Sequence, residues 1–287
     1  MTAKAAKSPT KKTKTAKPKA AAVRKVAAAE KKPASNNLRA WNLRFGVVLA
    51  AEAVAVVVAG SAKTVELTTQ YLAKDTLATD AAGSEVLATA TRHLADVPLA
   101  WVVAAFLLLF AADFLLLATV WRKHYENWLV RGVNKLRWVG AGLGTGVMAV
   151  AIAALSGITD VGYLFLIFAS LVILGSLASI VELIGVGRRL RKYVIVTALF
   201  TAALPVLVIA NTVLGVVLYD GTLPAFMYYV YASMFLLAGA YALACILRLR
   251  RRGKFADTSY SEKAFMGLGF AAATVLALQI FVGALQP

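Results

Sequence analysis

Seven apolar runs dominate this chain, each of a length suited to crossing a bilayer. Covering roughly 30 Å of hydrocarbon takes about 20 helical residues. The runs are Phe45 to Ala62, Val97 to Trp121, Trp138 to Ile158, Val161 to Val186, Tyr193 to Tyr219, Leu223 to Leu247 and Ala264 to Gln286. Backbone groups in lipid must be satisfied within the segment or in a closed barrel. None of the runs alternates with period two, so barrel strands are excluded. The expected architecture is all-α, a bundle of seven transmembrane helices. Composition agrees: 60% of residues are AVILMFWYC, 16% are charged, and mean hydropathy is +0.74. A soluble chain of 287 residues would need far more polar surface.

The formal charge of +17 is spread unevenly, and its distribution sets an orientation. Residues 1–44 carry thirteen Lys/Arg and one acid, Glu30, among Ala, Thr, Ser and Pro. Such a composition buries no core and reads as a disordered basic tail, leaving residues 45–287 as the membrane domain. The tail and the second, fourth and sixth connections together hold 28 Lys/Arg, against Lys63, Lys74 and Arg92 on the other side. The positive-inside rule then places the N-terminus in the cytoplasm and the C-terminus outside, an inverted topology in the cell membrane. The first connection, Lys63 to Asp96, is long and contains five acids and a strand-like VELTTQYL segment. It suits a small hairpin lid or a dimer contact.

Several chemistries are excluded. A single cysteine, Cys245, allows no internal disulfide. The two histidines, His93 and His124, fall on opposite sides in this topology and cannot share a metal. No HExxH, GxSxG or P-loop is present, and the chain reads as a non-enzyme. The GAGLGTG stretch (Gly140, Gly142, Gly144, Gly146) is no dinucleotide loop, since no strand precedes it. It contains two interleaved GxxxG pairs, which permit close helix approach.

The details resemble one family. LRWVGAGLGTGVM (Leu136 to Met148), GITD (Gly157 to Asp160), the trio Pro224, Phe226 and Tyr228, and the stretch from Gly253 through Glu262, Ala264 and Phe265 to Gln279, Ile280, Phe281 and Gly283 are similar to segments of heliorhodopsins. The resemblance spans Trp41 to Pro287 and implies a rhodopsin-like bundle, sensory or regulatory activity, and a dimer. It also implies a retinal Schiff base on a seventh-helix lysine and a third-helix glutamate counterion. This chain has Ala273 at the first position and Gly140, after Arg137, Trp138 and Val139, at the second. None of the seven runs contains a lysine, and Lys263 lies three turns before residue 273. Covalent retinal has no nucleophile here, so no cofactor is expected. Losing both groups together is electrostatically coherent, because a carboxylate stripped of its cation costs roughly 3–5 kcal/mol when buried.

Three acids lie within the runs: Glu52, Asp113 and Glu182. Ionisable groups there are expensive and face the bundle interior or a water pocket. Glu182 is expected to pair with Arg188 or to snorkel. Glu52 and Asp113, on neighbouring helices, are expected as a hydrogen-bonded structural pair or a shared-proton site. Trp138, Met148, Tyr231, Phe235 and Gly269 are candidate lining of an apolar pocket, and the sixth run adds the aromatic and methionine cluster Met227 to Phe235. Asn211, after Pro205, marks a possible kink. Near a membrane the tail suits anionic lipids better than nucleic acid. The expected function is a light-independent signalling module or apolar-ligand receptor with a cytoplasmic partner. The alternatives are a proton-coupled transporter using Glu52 and Asp113, or a noncovalent retinal binder.

Overall fold

The computed structural model describes residues 35–184 and 189–286, and seven of its helices are long and apolar enough to cross a membrane. Helix α1 (Ser35–Ala59) begins ten residues before the run that predicts it. Leu38, Asn42, Leu49, Ala53 and Val56 are all buried and recur at steps of three, four or seven residues, so one helical face continues inward past Phe45. Residues 35–44, assigned to the tail by their charge, are therefore part of the bundle, with Arg39 and Arg44 on the exposed side. The rest of the expected tail, residues 1–34, lies outside the described residues.

The first connection is an antiparallel hairpin of β1 (Thr64–Lys74) and β2 (Leu87–Pro98), with a short helix α2 (Thr76–Ala82) at its tip. Asp75 caps α2 through Ala78 N–H, and Gly83 closes it in the left-handed conformation, φ 65°, which glycine adopts without strain. The VELTTQYL segment is thus a strand. The hairpin is tied to the bundle: Thr68 N–H donates to Thr159 O at 2.9 Å, and Gln70 N–H donates to Asp160 Oδ2 at 3.1 Å. The other oxygen of Asp160 caps the helix that follows, accepting from Tyr163 N–H.

The remaining helices are α3 (Leu99–Ala118), the short α4 (Arg122–Val130), α5 (Lys135–Leu155), α6 (Val161–Leu183), α7 (Arg189–Leu218), α8 (Ala225–Leu249) and α9 (Thr258–Ile280). A π turn, Phe281–Leu285, extends α9. Neighbours pack in the order α1, α3, α5, α6, α7, while α8 packs on α9 and α9 returns to α1 and α3. Val54, Trp101, Phe165, Phe200 and Leu236 are exposed on the outside of these helices. An apolar belt of this kind belongs in lipid.

The glycine run of α5 divides its contacts between two neighbours. A Cβ on Gly142 would lie 3.2 Å from Leu171 O, and one on Gly146 would lie 2.7 Å from the Phe168 ring, both on α6. A Cβ on Gly144 would lie 2.5 Å from the Phe110 ring of α3, and one on Gly140 would land on the Asp113 carboxylate. Each interleaved GxxxG pair thus serves one adjoining helix.

Candidate functional site

At the end of the bundle opposite the hairpin, α5 starts at Asn134, whose side chain caps the helix by accepting from Arg137 N–H at 3.2 Å. One turn in, Arg137 is buried. Its guanidinium donates to Glu182 of α6 and to Glu262 of α9. Asn134 joins the same carboxylates, its Nδ2 donating to Glu262 Oε2 at 2.9 Å and its backbone N–H to Glu182 Oε2 at 3.0 Å. The guanidinium carbon lies 4.4 Å from the Phe265 ring centroid and 4.8 Å from that of Trp138, a stacked geometry that arginine tolerates well. Tyr241 completes the aromatic wall, 5.2 Å from Phe265. From the short helix α4, the Tyr125 hydroxyl approaches Glu262 Oε2 at 3.5 Å. Burial, and then the charge of Glu262, hold this phenol well above its usual pKa, so it stays a proton donor.

This centre corrects two sequence expectations. Charge distribution alone places Arg137 among the loop cations, but the Asn134 cap and the aromatic wall carry it into the interior. Glu182 is expected to pair with Arg188, which lies outside the described residues, or to snorkel; its side chain is only 9% exposed, and its carboxylate binds Arg137. Glu262 is not readily legible as a functional residue in the sequence, because it sits beside Lys263 in a polar stretch. The signal available was its place in the Glu-Lys-Ala-Phe start of the last helix, with an Asn-x-x-Arg cap facing it.

Glu52 and Asp113 are not a pair. A Cβ on Gly46 of α1 would lie 2.7 Å from Leu115 Cγ and 3.2 Å from Ala111 O, which sets Gly46 level with Asp113. Glu52 is six residues further along α1, about 9 Å at 1.5 Å per residue. Each carboxylate has its own surroundings. Both oxygens of Glu52 accept from the Thr274 hydroxyl of α9, at 3.0 and 3.1 Å. Asp113 instead fills the side-chain space of residue 140, its oxygens 2.6 and 2.7 Å from where a Cβ on Gly140 would stand.

Ala273 is fully buried in the core, next in sequence to Thr274. The Phe110 ring lies between Gly144 and Gly269, 3.9 Å from where the Cβ of residue 269 would be. Among the other proposed pocket residues, Trp138 and Met148 are buried, and Tyr231 exchanges a 2.8 Å hydrogen bond with Ser156. Phe235 departs from the expectation: at 76% exposure it stands on the outer side of α8 and lines no interior pocket. Asn211 is likewise exposed, although Pro205 is buried. A wholly apolar cavity of about 180 Å³ lies elsewhere, beneath the hairpin, walled by Val65, Leu67, Val97, Val102, Val150 and Leu164 among others.

No curated protein matches the chain. A family model, Heliorhodopsin, matches residues 38–285. That stretch runs from the buried start of α1 through the Arg137 centre to the π turn after α9, and the chain belongs to the heliorhodopsin family.

Proposed function

We propose that this heliorhodopsin-family protein works without covalent retinal, as a light-independent signalling or ligand-responsive module of the plasma membrane with its basic end in the cytoplasm. The observation that carries the reading is the buried alanine at position 273, where the resemblance implies the retinal lysine. The residues present do not fit the linked chromophore. No amine stands at 273, and Lys263 is ten residues earlier, about 15 Å along the helix. The Phe110 ring and the Asp113 carboxylate fill space beside Gly144 and Gly140. No step of the mechanism therefore runs through retinal.

What the residues do instead is hold helices together at the basic end. Arg137 clamps α5 to α6 and α9, and Tyr125 brings α4 onto Glu262. A ligand that separates these helices has to part charge-assisted bonds, and charged hydrogen bonds of this type are worth about 1.5–3 kcal/mol each. Movement of α4 would then reach the basic connections, where a cytoplasmic partner can read it.

The test is to purify the protein, add all-trans retinal and record the visible spectrum. The unaltered chain should show only the free chromophore band. A red-shifted, bleachable pigment overturns the reading. The informative variant is Ala273→Lys. Gly140→Glu is a poor companion, because its Cβ would collide with Asp113. It becomes usable only with Asp113→Ala.

A further inference from the structure

Glu52 is an intramembrane acid that takes no part in the Arg137 centre. Its position on α1 is decided by its neighbours: Leu49, Ala53 and Val56 face the core, while Val48, Ala55 and Ala59, at four before, three after and seven after Glu52, are exposed. Residues so spaced share a helical face, so Glu52 sits where the buried stripe gives way to lipid. The facing helix has the same gradient. Thr274 is half-buried, and Leu278, one turn on, is exposed. The carboxyl therefore lies in the α1–α9 seam, open on one side to the hydrocarbon. Among the described residues its polar partner is the Thr274 hydroxyl, and no ion pair involves it. Threonine brings a single proton to two oxygens that together accept about four hydrogen bonds. A carboxyl in this state, facing a solvent that offers no water, has an open demand for a proton or a cation.

We infer that the α1–α9 seam is a binding site, entered from the lipid, for a hydrophobic organic cation, with Glu52 as the counter-charge and Thr274 as the residue that orients it. Asp113 does not compete for this role, because it lies between α3 and α5 at a different depth. The apolar stripe of Val48 and Leu278 would receive the hydrocarbon part of the ligand.

The experiment uses the full chain in lipid vesicles with dicyclohexylcarbodiimide, which reacts with protonated carboxyls reachable from lipid. The acid proton moves to one carbodiimide nitrogen and the carboxyl oxygen bonds to the central carbon. The adduct rearranges to an N-acylurea with no leaving group, so the labelled peptide gains the whole reagent mass. The adduct should appear on Glu52, vanish in Glu52→Gln and persist in Asp113→Asn. Tetraphenylphosphonium should slow Glu52 labelling progressively to saturation, whereas tetraphenylborate, of the same shape and opposite charge, should leave the rate unchanged. Thr274→Val, which keeps the acid, should still be labelled and protected but at higher phosphonium concentration. A Glu52 that stays unlabelled, label on Asp113 in its place, or equal effects of the two ions would overturn the proposal.

Discussion

Arg137 is held by more than charge. Its guanidinium meets two carboxylates, and its flat faces lie against Trp138 and Phe265. Lysine would keep the charge and lose both the fork and the stacking. Arg137→Met should lower stability by about 3–5 kcal/mol, the range for leaving buried charge uncompensated. Thermal unfolding in detergent measures this, and Arg137→Met combined with Glu182→Leu and Glu262→Met should recover most of the loss. The second residue-scale prediction concerns a steric couple. Gly140→Ala places a methyl on the Asp113 carboxylate and should destabilise by about 1–3 kcal/mol, as overpacking does. In an Asp113→Ala background the same change should cost far less, and a double-mutant cycle in thermal unfolding reads that coupling. Additive effects would mean that the two side chains do not share the space.

Among the elements, α5 is the organising helix because its glycines admit a partner on either side. Gly142 approaches Gly175 of α6 at backbone distance, and a Cβ on Gly175 would lie 3.1 Å from Gly142 Cα. Gly142→Val should pry α5 from α6 and, with it, Arg137 from Glu182. A lowered unfolding temperature together with faster amide exchange at the start of α5 is the expected pair of signs. The hairpin depends on one carboxylate with two tasks: Asp160 caps α6 and accepts from Gln70 in β1. Asp160→Ala should cost about 0.5–2 kcal/mol as a lost cap. It should also release hydrogen-exchange protection at Gln70, while Lys63–Leu99 pairing at the hairpin base, 2.9 Å, persists. A loss confined to α6 would show that the tie to the hairpin carries no strength.

For the whole molecule, the uneven distribution of positive charge is the feature with the widest reach. Moving Arg137 from a loop to the interior removes one cation from the 28 counted on the basic side and leaves the imbalance against Lys63, Lys74 and Arg92 intact. The orientation proposed from it predicts that trypsin shortens the N-terminus in inverted membrane vesicles and spares it in right-side-out ones. The opposite pattern would reverse the assignment of the ends.

The spans were legible in the residues because hydrophobic length is a local, additive property, and seven such stretches leave a polypeptide in lipid no other economical shape. The hairpin strand and the packing role of the glycines were legible for the same reason, since spacing along one segment carries both. Partners were not. Whether Glu52 meets Asp113 depends on the relative depth of two antiparallel helices, and that depth is set where Gly46 seats against Leu115. Whether Arg137 faces water or Glu262 depends on residues more than a hundred positions apart. Phe235, apolar on a helix, suited the interior as well as the lipid until rotation of α8 put it outside. Linear order determined that this protein is a bundle in a membrane; only the packed helices decided which charges neutralise one another, because electrostatic pairing is a matter of distance in space, which sequence separation does not measure.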